Sequence, residues 1–301
     1  MSRQAGVARV TWRQLWRETS EAIADPVETR WLLEEASGID TAALLRDLDS
    51  QVPTQAKARL ESLVRRRLSG EPLQHVLGHW GFRALDVVVD SRVLVPRPET
   101  EFVVAVALSE IDRLSDSRSA GGGQLSATEL LAADLGTGSG VIALSLALER
   151  TAVRVLATDR DPAALEVAAV NLSRIGAEAA SRVQLRQGDW YEALPPGLAG
   201  RLDLVVANPP YLAAGEWSGL DPTVSRFDPF GALVAGPSGL EAIETIVAGA
   251  PAWLDQRGSL VVEIAPDQAG SVVGLALEAG FATARVEADL AGRPRVLLAG
   301  R

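Results

Sequence analysis

The residues best suited to chemistry are Leu204-Val205-Val206-Ala207-Asn208-Pro209-Pro210-Tyr211, an apolar strand ending in Asn-Pro-Pro-Tyr. The chain holds only two asparagines, Asn171 and Asn208, and two tyrosines, so one of each within four residues is an improbable accident. Consecutive prolines forbid both helix and ladder pairing beyond the strand, which fixes Asn208 and frees backbone carbonyls to face a cleft. An amide or aniline-like nitrogen is a poor nucleophile because its lone pair is delocalised. If the Asn208 side-chain oxygen and the Pro209 carbonyl each accept one N–H, the nitrogen is held close to tetrahedral, with its lone pair aimed at an incoming electrophile. Catalysis is then positioning plus electrostatic stabilisation of the charge developing on nitrogen. Tyr211 can close such a pocket by stacking on a planar target group. No general base is required, in keeping with a chain whose only histidines are His75 and His79. The plain alternative is a rigid Pro-Pro turn with a capping Asn.

A second constellation lies upstream. Asp134-Leu135-Gly136-Thr137-Gly138-Ser139-Gly140 follows an apolar run and opens a helical pattern, where glycines let the backbone approach a ligand. The G-x-G-x-G spacing differs from the dinucleotide fingerprint, and no Lys follows to make a P-loop. The next strand ends at Asp159, placed to accept both hydroxyls of a ribose. Because Asp161-Pro162 already caps the following helix, Asp159 is left free for that task. After the third strand, Gly188-Asp189-Trp190 suits an adenine, with Asp189 reaching the exocyclic amine and Trp190 lying against the ring. A tight glycine turn, a capping Asp and a core Trp are the structural readings of the same residues. Taken together, the three strand ends describe S-adenosylmethionine better than NAD or ATP.

Composition narrows the classes further. With no cysteine there is no disulfide, thiolate nucleophile or thiolate metal site, and no metal is expected. Apolar runs fall short of the roughly 18 residues that cross a bilayer, so a soluble, cytoplasmic protein is expected. Residues 1–95 balance 13 basic against 13 acidic side chains, so residues 96–301 carry the whole net charge of −10. That field repels phosphate backbones, and no direct contact with nucleic acid is expected.

The elements that must position these residues are legible from period and punctuation. Residues 10–70 read as helices, with Asp25-Pro26, Asp40 and Pro53 as starts and Gly38 and Gly70 as stops. The runs Val87–Val89 and Val93–Val95, separated by Asp90-Ser91-Arg92, suggest a hairpin. Pro96-Arg97-Pro98 stops it, Glu99–Leu108 reads as a helix, and residues 114–128 read as a flexible loop. Strands and helices then alternate, with strands at Leu130–Leu135, Val153–Thr158, Val183–Arg186, Leu204–Ala207 and Ser259–Ile264. Such alternation implies a parallel sheet covered on both faces, with ligands at the strands' carboxyl ends. Phe281–Glu287 and Arg295–Ala299 suggest an antiparallel edge pair. The expected domains are a helical bundle at 1–73, a β-hairpin linker at 74–95 and a catalytic α/β domain at 96–301.

With these motifs the chain resembles class I S-adenosylmethionine-dependent methyltransferases, and more closely the peptide chain release factor glutamine methyltransferases, the PrmC/HemK family. The narrower likeness rests on Gly70-Glu71-Pro72-Leu73-Gln74, on Val93-Leu94-Val95-Pro96-Arg97-Pro98-Glu99-Thr100-Glu101, and on Asp289-Leu290-Ala291-Gly292-Arg293. It implies a Rossmann-like seven-stranded sheet and methylation of the glutamine side chain in the Gly-Gly-Gln motif of class 1 release factors, with S-adenosylhomocysteine as product. By motif, Gly136, Thr137, Gly138, Ser139, Gly140, Asp159, Asp189 and Trp190 would hold the cofactor. Asn208 would touch both cofactor and substrate, and Asn208, Pro209, Pro210 and Tyr211 would bind the glutamine. The Pro96–Glu101 segment would line the substrate side near Phe102. Phe230 after Asp228-Pro229, where the family pattern commonly has a basic residue, and the Gly-rich 114–128 loop are departures.

Two other functions compete. An adenine N6-methyltransferase faces the same delocalised nitrogen and uses similar Asn-Pro-Pro-Tyr geometry, but the acidic catalytic half opposes it, and Arg65-Arg66-Arg67 reads as a solvated helix face. A non-catalytic module that binds release factor would not need intact motifs. Gly122-Gly123-Gln124 reproduces the target tripeptide within the chain itself, which raises automethylation at Gln124 against the simpler reading of a glycine linker. The helical domain is expected to dock a protein substrate, and the enzyme to act as a monomer.

Overall fold

A computed structural model describes residues 10–119 and 129–301. The chain divides into two compact units, with the boundary between Gly78 and His79. The first holds helices α1 (Trp12–Ile23), α2 (Pro26–Ser37), α3 (Thr41–Arg46), α4 (Thr54–Leu68) and α5 (Leu73–Leu77). The punctuation works as local chemistry dictates. Asp25 Oδ1 accepts the Val27 and Glu28 amides, Asp40 Oδ1 accepts that of Ala43, and Gly38 ends α2 at φ +73°. The unit's core packs Trp12, Leu15, Leu32, Leu33, Leu44, Leu60 and Leu63.

The second unit begins with a hairpin that differs from the expected one. Its strands are β1 (His79–Phe82) and β2 (Leu85–Val88), joined through Arg83 at φ +51°. Val93 and Val95 are buried without joining a strand, and Val93 packs on Ala164 and Val167. Burial in side-chain packing, rather than ladder pairing, accounts for that β-branched run. The hairpin lies wholly within the second unit, since Phe82, Leu85 and Val87 join its main core. The unit boundary therefore falls at 78/79, not at the expected 73/74 and 95/96.

Helix α6 runs Pro98–Ser119, past the expected end at Leu108 and into the segment read as a loop. The helical period simply continues: Val103, Val104, Ala107, Leu108, Ile111 and Leu114 are all buried. Gly122-Gly123-Gln124 lies outside the described residues.

Seven strands form one sheet: β3 (Leu130–Leu135), β4 (Val153–Asp159), β5 (Val183–Gln187), β6 (Leu202–Ala207), β9 (Leu254–Glu263), β10 (Thr283–Ala288) and β11 (Pro294–Gly300). Their spatial order is β10-β11-β9-β6-β3-β4-β5. All the pairs from β9 to β5 are parallel, and β11 runs antiparallel to both its neighbours. The expected antiparallel edge pair is present, with β10 outermost and β11 inserted between it and β9. Period-2 alternation divides the sheet's side chains between two cores. Ala132, Val155, Val206 and Val261 face α6 and α7 (Val141–Glu149). Ala133, Leu156, Val205 and Val262 face α12 (Glu241–Trp253) and α13 (Ala269–Glu278). Between β6 and α12 lie elements absent from the sequence reading: α10 (Pro222–Ser225), α11 (Phe230–Leu233) and a short parallel pair, β7 (Leu212–Ala213) with β8 (Val234–Gly236). No helix among the described residues is long and apolar enough to cross a membrane.

Candidate active site

Pairing brings the carboxyl ends of five parallel strands to one rim. Leu135 lies beside both Thr158 and Ala207, Asp159 beside Gln187, and Ala207 beside Val262. The chain reverses its direction of strand addition between β3 and β6, the crevice where open α/β sheets bind ligands. A cleft opens there, walled by Gly136, Thr137, Gly138, Ser139, Asp159, Gly188, Asp189, Trp190, Asn208 and Pro210 among others.

The glycine loop owes its shape to backbone conformation. Gly136, Gly138 and Gly140 have φ of +73°, +55° and +88°, the left-handed region that side chains disfavour. A Cβ on Gly136 would stand 3.1 Å from the Trp190 indole, whereas one on Gly138 would meet nothing within 4 Å. Gly136 thus admits the indole, and Gly138 leaves its side of the loop open. The Thr137 amide donates to the Thr158 carbonyl at 2.8 Å, and that of Gly138 to Asp159 Oδ2 at 2.9 Å. Gly140 is the N-cap of α7 and packs toward Leu144 and Ala168, so it closes the turn and does not face the cleft.

Asp159 does more than the sequence reading assigned. Asp161 does cap α8 (Pro162–Leu172), the helix before the short α9 (Ala177–Ala180), by accepting the Ala163 amide at 2.8 Å. Yet Asp159 also accepts two backbone amides, from Gly138 on Oδ2 and from Asp161 on Oδ1. It is anchored rather than free, with one lone pair on each oxygen left for a ligand. Burial is the main cause that raises its pKa above the ordinary carboxylate value.

Asp189 is exposed and Trp190 half-buried, in a 3-10 turn whose next residue is pinned. The Tyr191 hydroxyl donates to the Ile246 carbonyl at 2.7 Å, and its ring stacks on Trp253. That anchor holds Trp190, at φ +42°, against the glycine loop.

At the tip of β6, Asn208 is half-buried, and its Nδ2 donates to Thr100 Oγ1 at 3.0 Å. Thr100 is buried in the first turn of α6, and its hydroxyl donates to Glu263 Oε2 at 2.8 Å. Glu263, the last residue of β9, is 1% exposed, and burial pushes its pKa up to about 7. No described residue donates to Asn208 Oδ1. Pro210 is on the cleft wall, but Pro209 is buried and Tyr211 is not among the wall residues. Tyr211 is held by its backbone, donating to the Leu233 carbonyl and accepting from Gln268 Nε2. Its stacking role as read from the sequence is therefore not visible in this arrangement. Of the Pro96–Glu101 segment, Pro96, Arg97 and Thr100 line the cleft, while Phe102 packs on the core. Arg97 Nη2 bonds Asp228 Oδ2 at 2.6 Å, tying this segment to the loop before Pro229. Phe230, just beyond, is exposed and meets Trp217 edge-on.

The sequence reading gave no individual role to Asp134 or Thr100 and passed over Glu263. Asp134 is fully buried beneath the glycine loop. Its Oδ2 accepts from Thr137 Oγ1 and the Ala143 amide, while Oδ1 has no partner among the described residues. Burial pushes its pKa to about 7. The available signal was a lone carboxylate at or next to the end of an otherwise apolar run, in Leu130–Leu135 and again in Leu260–Glu263. Among the described residues there is no cluster suited to a metal ion.

Comparison with known proteins accords with this geometry. Residues 13–78 match the PrmC N-terminal domain, which ends at the observed unit boundary, and residues 124–220 match the methyltransferase small domain. The release factor glutamine methyltransferase of Xylella fastidiosa (strain 9a5c) is 40% identical over 274 residues, 90% of this chain and 91% of that protein. The protein of the same name from Cereibacter sphaeroides is 41% identical over 275 residues, 90% of each chain. Among solved structures, the hMettl16 catalytic domain bound to the MAT2A 3'UTR hairpin 6 shares the fold, with TM-score 0.51 and 13% identity over 87% of this chain and 92% of that one. From the extent and level of the first two matches, the chain belongs to the release factor glutamine methyltransferase family.

Proposed function

We propose that the chain transfers a methyl group from S-adenosylmethionine to the side-chain amide nitrogen of the glutamine in the Gly-Gly-Gln motif of class 1 release factors. The observation that carries this reading is the Asn208 carboxamide, held by one end at a parallel strand tip, in the same cleft as the glycine loop and Asp159.

The cleft fits the cofactor. Gly138 leaves open space, Asp159 keeps acceptor capacity for ribose hydroxyls, and Trp190 offers a flat apolar wall. Asp134 lies buried beneath the loop, with Oδ1 without a partner among the described residues. When bound, S-adenosylmethionine supplies an electrophilic methyl on a sulfonium. The chain's own residues supply orientation. Asn208 Oδ1 accepts an N–H of the glutamine amide and, with the Pro209 carbonyl as second acceptor, favours a pyramidal nitrogen over the planar delocalised one. As positive charge develops on that nitrogen, both oxygen dipoles stabilise it without reorganising. The proton leaves afterwards, when the nitrogen is strongly acidic, so no buried base is required. A monomer acting in the cytoplasm, where release factors work, completes the reading.

A labelled-methyl assay tests this by offering release factor and nucleic acid side by side. Label on the Gly-Gly-Gln glutamine, located by peptide mass mapping, is the expected result. Label on nucleic acid alone would replace this reading with adenine methylation. We also assign the unit formed by residues 10–78 to docking of the protein substrate. Removing residues 1–78 is then expected to raise KM for whole release factor far more than for a short Gly-Gly-Gln peptide, and equal changes would reject the assignment.

A further inference from the structure

Asn208 can serve as an acceptor only if its oxygen, not its nitrogen, faces the cleft. A carboxamide has nearly the same shape in both orientations, and a strand tip followed by two prolines fixes the backbone but not that choice. We propose that Thr100 and Glu263 are positioning residues that impose it, through a directional hydrogen-bond relay running from the end of β9 through the start of α6 to the tip of β6. The inference deepens the proposed function and rests on it for the role of Asn208.

The argument is one of proton counting. Thr100 has a single hydroxyl proton, and the Glu263 carboxylate, which can only accept, takes it at 2.8 Å. The Thr100 oxygen is then an acceptor toward its other neighbour, so Asn208 must present Nδ2 at 3.0 Å. The reversed amide would set Oδ1 against an oxygen with no proton to give, in a site where Thr100 is 2% and Glu263 1% exposed. A buried pair of opposed acceptors is strongly disfavoured. Negative charge on Glu263 therefore polarises the relay in one direction.

The device depends on the carboxylate's charge. The groups acting on Glu263 are Arg295 from β11, Arg97 and Glu99 from the segment opening α6, and the Tyr211 hydroxyl beyond β6. Both arginines favour the charged form and Glu99 opposes it, while burial outweighs them and sets the titration near neutrality. Once protonated, Glu263 can donate to Thr100, whose own proton can then turn to Asn208 Oδ1. Both amide orientations are satisfied, and the productive one is no longer enforced.

The chain's scarcity of asparagine provides a readout independent of turnover. Selective 15N-asparagine labelling of the full chain gives only two side-chain amide pairs, from Asn171 and Asn208. Asn171 serves as internal reference, because its amide is bonded to Val88 and Ser139. The Asn208 pair is expected to shift with pH with a midpoint near that of Glu263, and to stop titrating in Thr100→Val and in Glu263→Gln, but not in Thr100→Ser. In the peptide assay, kcat is expected to fall below neutral pH in the wild type. Thr100→Val should lower kcat at pH 8 by roughly 10²-fold, the scale of a misplaced reacting group, and lose that acid limb. Cofactor Kd should be unchanged, and Thr100→Ser should restore both rate and limb. An Asn208 signal that does not titrate, or that still titrates in Glu263→Gln, overturns the relay. So does an acid limb that survives in either Thr100→Val or Glu263→Gln. If Thr100→Val fails to fold, the Glu263→Gln spectrum and pH profile decide alone. An inactive wild type with a titrating Asn208 signal would instead reject the proposed function and leave the relay standing.

Discussion

The two asparagines of the chain are held in opposite ways, and only Asn208 lines the cleft. Asn171, in α8, is 1% exposed and spends its whole amide internally. Its Oδ1 accepts from Val88, and its Nδ2 donates to the Val88 and Ser139 carbonyls. It joins the hairpin to the exit of the glycine loop. Asn208 is half-buried and held by one end alone, with Oδ1 left over. The same contrast extends to their surroundings. The β3–β5 side is built from backbone bonds and left-handed glycines, a rigid surface for a ligand that must be bound but not altered. The β6–β9 side is built from side chains, with acceptor capacity left uncommitted where bonds change. A saturated amide is a structural part, whereas an unsaturated one is a chemical part.

Substitutions on the two sides should therefore separate binding from turnover. Asn208→Ala has the largest expected effect, a loss of about 10²–10³ in kcat with cofactor Kd little changed, read by peptide kinetics and calorimetry. A variant that turned over normally would erase the distinction. Asp159→Ala should do the reverse. Losing hydrogen bonds to a charged group costs about 1.5–3 kcal/mol, roughly ten- to hundredfold in cofactor Kd, with kcat at saturation nearly kept. Gly136→Ala is expected to cost about 1–2 kcal/mol of stability through its left-handed backbone, and to displace Trp190, which lies 3.1 Å from the added Cβ. A lower Tm together with changed tryptophan emission would show both.

Asp134→Asn should affect turnover least and pH behaviour most. The folded pKa of Asp134, about 7, lies above its ordinary 3.8, so the folded state holds the proton more tightly. The stability this contributes is complete below 3.8 and is lost as pH rises through about 7. The wild-type Tm should carry a downward component across that window that is missing from Asp134→Asn, as thermal melts between those pH values would reveal. An unchanged slope in the variant would show that the Asp134 carboxylate finds a partner when charged.

The contrast also explains what could be read from residues alone. The glycine loop, Asp159, Trp190 and the helix caps are local, because the bonds that shape them span few positions and leave marks in composition. The relay is not local. Thr100 lies 108 residues from Asn208 and 163 from Glu263, and only the sheet order brings their strand and helix ends together. Proximity of that kind has no periodic signature. The hairpin was misplaced for a related reason, since its turn at Arg83-Ala84 lacks the usual Asn-Gly or Asp-Gly. Meanwhile the more conspicuous Val93–Val95 run is buried by tertiary packing. Gly140 and the Pro209 ring belong to recognisable motifs but lie off the cleft wall, which residue type alone does not reveal.

The place of β11 has a consequence for how the molecule comes together. It is seventh of the sheet's strands in sequence but second in space, bonded on one flank to β9 and on the other to β10. Until residues 294–300 arrive, β9 presents a bare row of amides and carbonyls, a template for mispairing. With β11 in place that row is paired along its length, and Arg295 is brought alongside Glu263. One strand thus both shields an edge and completes the electrostatic setting of the buried carboxylate.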